Sequence, residues 1–137
     1  MSRESVVLGV RAVIQRRSGK ILLLQRNSDR NRDAGLWEVP GGLIEAGEPL
    51  PMALKREIKE ETGLIVSPRH SEPLTFISPK TEGPRYLELI FRCQRVRGEK
   101  VRLAPDEHQD SRWVTVEAAL DLKLTPTARD LLEFLLE

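Results

Sequence analysis

The sequence predicts an α/β protein in which a mixed β-sheet lies between helices. Runs rich in Val, Ile and Leu, which favour strands, occur near the start and in the second half of the chain. Helical patterns occupy residues 51–62 and 126–136. Because these elements interleave without regular βαβ alternation, we expect a mixed sheet rather than a purely parallel one.

The first part of the chain is predicted to form strands joined by polar segments. Strands are expected at 6–15 and 21–25, with a turn at 17–20 between them. Short strands should flank the Pro-Gly-Gly segment at 40–42. Residues 27–35 are polar and include Arg30 and Arg32, and we favour a solvated loop there over a phosphate site.

The central helix is expected to begin near Pro51, because proline suits the first turn of a helix. It should end at Gly63, since glycine readily adopts the left-handed conformation that follows many helices. Ala53, Leu54 and Ile58 recur at helical spacing and should face the core.

The second half of the chain is predicted to contain three strands and two helices. The strands are expected at 74–78, 85–96 and 113–114, with a loop at 79–84. A small helix is expected around 116–120. Thr125 and Pro126 supply an N-cap and a first-turn proline for a last helix that ends near Leu136.

Length and charge limit the classes of function. The 137 residues suit one domain, spanning 1–137, with one core. A formal net charge of +1 does not favour a nucleic-acid partner, and the basic residues at 92–102 are expected to form a solvated hairpin. No apolar run approaches the roughly 20 residues of a membrane helix, and the N-terminus lacks a signal-peptide pattern.

The cysteine and histidine content argues against disulfides and zinc. Cys93 is the only cysteine, so no intrachain disulfide can form, and the reducing cytoplasm is the expected location. It lies in an apolar strand pattern, which predicts a buried, inert thiol. His70 and His108 have no partner at metal-ligand spacing. We therefore expect both on the surface.

A cluster of glutamates on the central helix points to a metal ion. Glu57, Glu60 and Glu61 follow one another at spacings of three and one, so they share about a third of the helix circumference. Such a face must be solvated or must meet a cation, and hard divalent ions prefer oxygen ligands. A solvated face is the simpler alternative, but a preceding glycine loop that could approach an anionic ligand favours the metal site.

These residues also carry a family resemblance. Residues 42–64 match the pattern G-x5-E-x7-R-E-U-x-E-E-x-G-U, where U is aliphatic, at Gly42, Glu48, Arg56, Glu57, Ile58, Glu60, Glu61, Gly63 and Leu64. The segment resembles the box of the Nudix hydrolases, and residues 36–42 resemble the usual approach to it. The resemblance implies an α/β/α sandwich and an enzyme that splits diphosphate linkages in nucleoside diphosphate derivatives.

The resemblance also implies a Mg²⁺ cofactor, with Mn²⁺ as a possible substitute, and roles for the box residues. Glu57 and Glu61 are the expected metal ligands, Glu60 a ligand or a catalytic helper, and the Gly41 carbonyl a further contributor. Arg56 is expected to hold Glu48 or Glu57 in place. Glu48 would orient the loop, and Gly63 would end the helix.

Residues outside the box are expected to complete the site. Family members place the general base either in the box or on a later loop. Some relatives carry an additional glutamate near the metals on that loop, which makes Glu107 the leading candidate outside the box, with a solvated acidic loop as the simpler alternative. Arg26, Gly42 and Tyr86 are the expected substrate-binding residues. For Trp37 and Phe76 we expect packing in the core rather than stacking on a base.

The substrate is predicted at the level of a class. The compact chain is similar to MutT-like members, which cleave nucleoside or deoxynucleoside triphosphates to a monophosphate and pyrophosphate. ADP-ribose hydrolysis is the alternative, because Pro79 lies close to where ADP-ribose-cleaving relatives carry a proline. A non-catalytic nucleotide sensor is a third hypothesis, which the complete box disfavours. Homodimers are common in the family, so a homodimer is possible.

Overall fold

The fold was analysed from a computed structural model, which describes residues 4–80, 82–98 and 100–137. In chain order the helices and strands are β1 (Val6–Ile14), β2 (Ile21–Arg26), β3 (Trp37–Glu38), β4 (Gly41–Leu43), α1 (Leu50–Thr62), a 3-10 turn (Pro68–His70), β5 (Ser71–Ile77), β6 (Arg85–Cys93), β7 (His108–Val114), α2 (Val116–Ala119) and α3 (Pro126–Leu135). Thr81, in the loop predicted at 79–84, and residues 1–3 lie outside the described residues.

The strands form two sheets, and the larger one is mixed as predicted. Its order is β4-β1-β6-β5, with β1 and β6 parallel and the other neighbours antiparallel. The smaller sheet is antiparallel, in the order β3-β2-β7. The parallel register places Gly9 opposite Glu88 and Arg11 opposite Ile90. The charged side chains of Arg11 and Glu88, which are distant in the chain, therefore lie on the same face of the sheet.

Helices cover both faces of the larger sheet, so the α/β/α prediction is confirmed. Alternate residues of a strand point to opposite faces, and β1 illustrates this. Val10 packs with Leu54 and Ile58 of α1 in one buried cluster. Val13 packs with Leu131 of α3 in another. The two clusters hold the sheet between α1 and α3.

Helix α1 follows the prediction closely. It begins at Leu50 with a proline in its first turn and ends at Gly63, whose φ of 74° is left-handed. The Gly63 N–H donates to the Lys59 carbonyl, which satisfies one of the last free acceptors of the helix. Ala53, Leu54 and Ile58 are fully buried, as predicted.

The second half differs more from the sequence prediction. Strand β5 begins at Ser71 rather than 74, and β6 ends at Cys93 rather than 96. Strand β7 begins at His108, five residues before the predicted strand, because pairing with β2 stabilises a polar segment that lacks a strand pattern.

Two of the three packing predictions for single residues hold. Trp37 and Cys93 are buried as predicted. Phe76 is 69% exposed, so its predicted place in the core is wrong. It lies on β5, an edge strand that has a neighbour on one side only. Among the described residues, no helix is both long and apolar enough to cross a membrane.

Candidate active site

A cavity of about 640 Å³ opens beside the glutamate helix. Its walls come from the box loop, from α1, from the start of α3 and from strands β1 and β6. Residues predicted for the site that line it are Arg26, Gly41, Gly42, Glu57, Glu61, Tyr86 and Glu107. Glu48, Arg56, Glu60 and Gly63 are not among its lining residues. The structure thus places Glu57 and Glu61 of α1 around the same cavity as Glu107, which lies 46 positions beyond Glu61 in the chain.

Glu57 lies directly against the box loop. A methyl group at Gly42 would fall on the Glu57 carboxylate, so only glycine leaves room for this contact. Burial raises the pKa of Glu57, an effect that Arg56 opposes and that Glu60 and Glu107 reinforce. The carboxylate is therefore held at the loop among other negative groups, where a cation would be favourable.

Glu61 is the most deeply buried of the three glutamates on α1. It is 5% exposed, and its Oε1 accepts a hydrogen bond from the Gly41 N–H at 2.7 Å. Burial raises its pKa well above the usual range, Arg11 lowers it, and Glu38 and Glu107 raise it further. A buried carboxyl with this surplus of negative neighbours is suited to binding a positive ion.

Arg56 holds three parts of the box together, without lining the cavity. Its Nε and Nη2 donate to the two Glu48 carboxylate oxygens at 2.7 and 2.9 Å, and its Nη1 donates to Glu57 at 2.9 Å. Nη2 also donates to the Leu43 carbonyl at 3.2 Å. The predicted pairing is thus present with both Glu48 and Glu57. Glu48 also accepts from the Glu45 N–H at 3.2 Å, which fixes the loop.

Glu60 does not line the cavity. Its side chain is 57% exposed, and its Oε2 lies 3.4 Å from Nη1 of Arg56. This contact suits a supporting role through Arg56, and the ligand role of Glu60 stays a prediction.

His108 corrects the sequence prediction. It was expected on the surface, but it is 2% exposed and lies at the start of β7 between two buried carboxylates. Its Nε2 is 2.7 Å from Glu38 Oε2, and its Nδ1 is 3.8 Å from Glu61 Oε2. The prediction failed because both partners are remote in sequence, so no local spacing revealed them.

A buried ionic group beneath the cavity was not predicted from the sequence. Arg11 Nη1 lies 3.5 Å from Glu38 Oε1, and Arg11 Nε lies 3.4 Å from Glu88 Oε1. Arg26 contacts both oxygens of Glu38 at 3.3 Å. Burial acts to raise the pKa of Glu38, but Arg11, His108 and Arg26 together hold it at about 2. The available signal was Arg11, the one charged residue of the otherwise apolar strand β1.

The substrate-binding candidates line the cavity but already have protein partners. Arg26 donates to the Arg32 carbonyl at 3.0 and 3.1 Å. Arg32 in turn donates to the Tyr86 hydroxyl at 2.7 Å and lies over its ring at 4.9 Å. Arg30 and Arg32 also line the cavity, so their loop is closer to the candidate site than the solvated-loop interpretation implied.

The residues present fit a divalent ion. Glu57 and Glu61 reach the same cavity as the Gly41 backbone, and the Gly42 position is open only because it lacks a side chain. Glu38, Glu61 and His108 form a second, buried group whose ligand atoms lie within 4.8 Å of one another. Carboxylates and an imidazole are common metal ligands in proteins.

Comparison with known proteins settles the family. The protein-family model of the NUDIX domain matches residues 6–135. The chain belongs to the Nudix hydrolase family. Nudix hydrolases use a divalent metal ion and act on nucleoside diphosphate derivatives, and the box resemblance is thereby confirmed.

Relatives with known names support this membership. The Nudix chain is 35% identical over 127 residues to the CTP pyrophosphohydrolase of Escherichia coli K12, covering 93% of this chain and 90% of that protein. It is 35% identical over 96 residues to human 8-oxo-dGDP phosphatase NUDT18, covering 70% of this chain but only 28% of the human protein. The chain thus spans little more than a quarter of that relative.

A solved structure has the same fold. The MutT NUDIX hydrolase of Burkholderia pseudomallei superimposes with a TM-score of 0.84 at 30% sequence identity, covering 95% of this chain and 98% of that one. The α/β/α architecture of the Nudix chain therefore matches a MutT-type enzyme over nearly its whole length.

Proposed function

We propose that this Nudix hydrolase cleaves nucleoside or deoxynucleoside triphosphates to a nucleoside monophosphate and pyrophosphate, with Mg²⁺ as its ion. The observation that carries the proposal is the composition of the cavity, where Glu57, Glu61 and Glu107 share walls with Arg26, Arg30, Arg32 and Lys80. Carboxylates suit the ion, and cations suit the phosphates that the ion leaves uncovered. The match to a CTP pyrophosphohydrolase over 90% of its length supports this class of substrate.

Glu57, Glu61 and the Gly41 carbonyl are the groups that would hold Mg²⁺, or Mn²⁺ in its place. A bound ion of this kind neutralises charge on phosphate oxygens and lowers the pKa of a bound water. Arg56 supports this set by bonding Glu57 while its other two nitrogens hold Glu48. Glu48 and Arg56 would thus position the ligands without touching the substrate.

Glu107 is the proposed general base. It lines the cavity, and its charge raises the pKa of both Glu57 and Glu61, although burial is the larger cause for each. A carboxylate this close to the ligands is positioned to accept a proton from a water that attacks phosphorus. Its place outside the box leaves the box glutamates free for the ion.

Arg26, Arg32 and Tyr86 are the proposed substrate contacts. Arg32 fixes the Tyr86 ring from one side and bonds its hydroxyl. The ring then offers a rigid apolar surface to a base or ribose. Guanidinium groups at the same rim can pair with phosphate oxygens in bidentate geometry.

ADP-ribose hydrolysis is the second candidate. Pro79, the residue that suggested it from the sequence, is buried and lines the cavity beside Tyr86. In this second candidate, Pro79 would narrow the part of the cavity that receives the terminal ribose of ADP-ribose. The triphosphate proposal is preferred because the E. coli relative is matched over almost its full length.

A substrate panel distinguishes the two. The protein would be incubated with Mg²⁺ and CTP, the four dNTPs, 8-oxo-dGTP, 8-oxo-dGDP or ADP-ribose, and products identified by mass. We expect the highest kcat/KM for a triphosphate, with release of monophosphate and pyrophosphate. A preference for ADP-ribose, with release of AMP and ribose 5-phosphate, would establish the second candidate instead. Release of orthophosphate from triphosphates would contradict the proposed bond cleavage.

A further inference from the structure

His108 has no part in the proposed mechanism, although its ring lies at the centre of the buried polar group. It is 2% exposed and stands between Glu38 of β3 and Glu61 of α1. A fully buried polar ring normally has a partner on each nitrogen. Here only Nε2 has one, because Nδ1 makes no hydrogen bond within the described part of the chain.

The partners of Glu38 assign the tautomer of the ring. Arg11 and Arg26 both contact the Glu38 carboxylate, at 3.5 and 3.3 Å. A carboxylate paired with two arginines is ionised and can only accept hydrogen bonds. The His108 Nε2 that lies 2.7 Å from it must therefore carry the hydrogen. In the neutral ring this leaves a lone pair on Nδ1.

That lone pair faces another electron-rich atom. Glu61 Oε2 lies 3.8 Å from Nδ1, and Glu61 is 5% exposed. Two acceptors buried at this distance are unfavourable unless something positive lies between them. Transition ions form bonds of about 2.0–2.2 Å to imidazole nitrogen and carboxylate oxygen. An ion bonded to both atoms therefore fits the observed separation.

The chemistry of the two atoms selects the class of ion. Mg²⁺ takes oxygen ligands and avoids nitrogen, whereas imidazole suits first-row transition ions. A metal-bound histidine commonly donates its other N–H to a carboxylate, which fixes the ring. Glu38 already does this on the far side of His108. Its own oxygens are engaged by His108, Arg11 and Arg26, so it orients the ring and is not itself a ligand.

We propose that His108 Nδ1 and Glu61 Oε2 form a nitrogen–oxygen site for a divalent transition ion such as Mn²⁺ or Co²⁺. The site shares Glu61 with the proposed Mg²⁺ centre and to that extent rests on the proposed function. It differs from that centre in using an imidazole nitrogen and a residue of β7. Mn²⁺ would then bind with a contact that Mg²⁺ does not make.

The test is pulsed EPR of Mn²⁺ added to the full chain without nucleotide. The chain has two histidines, His70 and His108, so an imidazole coupling has two possible sources. Labelling the histidines with ¹⁵N identifies the coupling as histidine nitrogen. His108→Gln removes the Nδ1 ligand while its amide can still donate to Glu38. His70→Gln is the matched control, since His70 lies beside Arg95 and outside the cavity lining.

We expect a histidine nitrogen coupling in the wild type and in His70→Gln, and none in His108→Gln. We also expect the Mn²⁺ Kd of His108→Gln to rise about tenfold or more, with the Mg²⁺ Kd within about twofold of wild type. Absence of the coupling in the wild type, or its survival in His108→Gln, would overturn the proposal. If His108→Gln does not fold, the wild-type and His70→Gln spectra together decide the question, because a coupling that survives in His70→Gln can come only from His108.

Mg²⁺-dependent hydrolysis measured on the same samples separates this inference from the proposed function. Turnover without a nitrogen coupling would overturn the transition-ion site alone. A nitrogen coupling without turnover of any nucleotide would overturn the proposed function and leave the site standing.

Discussion

At the scale of single residues, the guanidinium group of Arg56 fixes the side chains of two box glutamates, Glu48 and Glu57. Arg56 donates to both oxygens of Glu48 and to Glu57 at the same time. This uses the planar fork of arginine, whose separate nitrogens can serve two carboxylates in fixed directions. An ammonium group offers no such fork. Arg56 therefore orients the Glu57 carboxylate, which lines the cavity, although Arg56 itself does not line it.

We predict that Arg56→Lys lowers Mg²⁺-dependent kcat/KM by about 10²-fold, because a small displacement of a positioned group can cost this much. The charge is kept, so the fold should remain, as circular dichroism would show. Lys59→Arg, an exposed charge-conserving change on the same helix, is the control and should leave kcat/KM unchanged. Equal activity of Arg56→Lys and the control would refute the positioning role.

The buried Glu38 should make the protein sensitive to acid. Its pKa of about 2 in the fold lies below the ordinary glutamate pKa of 4.5. A group with a depressed folded pKa stabilises the fold above its unfolded pKa, and the contribution is lost as the pH falls toward the folded value. The contribution lost on protonation is on the order of a few kcal/mol. The raised pKa of Glu61 acts in the opposite sense and at higher pH.

We predict that the free energy of unfolding of the wild type falls between pH 4.5 and pH 2 by more than that of Glu38→Gln. Urea unfolding of metal-free protein at several pH values measures this. Glu72→Gln changes an exposed glutamate and should reproduce the wild-type slope. If Glu38→Gln has the wild-type slope too, the ion pairs with Arg11 and Arg26 do not stabilise the carboxylate.

At the scale of elements, the box loop and α1 meet through the missing side chain of Gly42. The Glu57 carboxylate occupies the space that a methyl group would need. Gly47, in the same loop, has a different reason to be glycine. It has a φ of +76° and nothing within 4 Å of an added methyl group. One glycine is thus required by a contact and the other by backbone conformation.

We predict that substitution of Gly42 mainly lowers activity, whereas substitution of Gly47 mainly lowers stability. Gly42→Ala should displace Glu57 and lower Mg²⁺-dependent kcat/KM by about 10²-fold. Gly47→Ala should lower the free energy of unfolding by about 1–2 kcal/mol, the cost of a left-handed non-glycine residue, with activity retained. Turnover assays and urea unfolding on both variants check this. The interpretation fails if Gly47→Ala is the less active of the two.

Local signals determined which elements the sequence could predict. Both ends of α1 follow from Pro51 and Gly63, whose effects are confined to neighbouring residues. The first five residues of β7 are polar, and they form a strand because β2 lies beside them. The prediction that His108 lies on the surface was wrong because its environment, too, depends on residues that are distant in the chain. Its partners, Glu38 and Glu61, are 70 and 47 positions away in the chain, and no spacing rule connects them.

At the scale of the whole molecule, the candidate site combines two kinds of information. The box pattern predicted the loop and α1, which carry Glu57 and Glu61, and family resemblance extended the site to Glu107. The floor of the cavity was not predictable in this way. Arg11 and Glu88 face each other only because β1 and β6 pair in parallel. That pairing is a property of the folded sheet and leaves no mark in either segment alone.

The fold thus joins the proposed metal-binding edge of α1 to an arginine-rich rim from β2 and its following loop. Both border one cavity, which is the arrangement that a charged phosphate chain with a bound ion requires. In the proposed function, Glu57 and Glu61 hold the ion that enables hydrolysis.

The most direct measurement is the Mg²⁺-dependent hydrolysis of CTP by the wild type, Glu57→Gln and Glu61→Gln. Glu133→Gln, an exposed change on α3, serves as control. We predict that each of the first two variants loses about 10³-fold in kcat, several kcal/mol of transition-state stabilisation, with unchanged circular dichroism. Glutamine preserves the shape of each side chain and removes only its charge. Near-normal turnover in both variants would contradict the metal assignment.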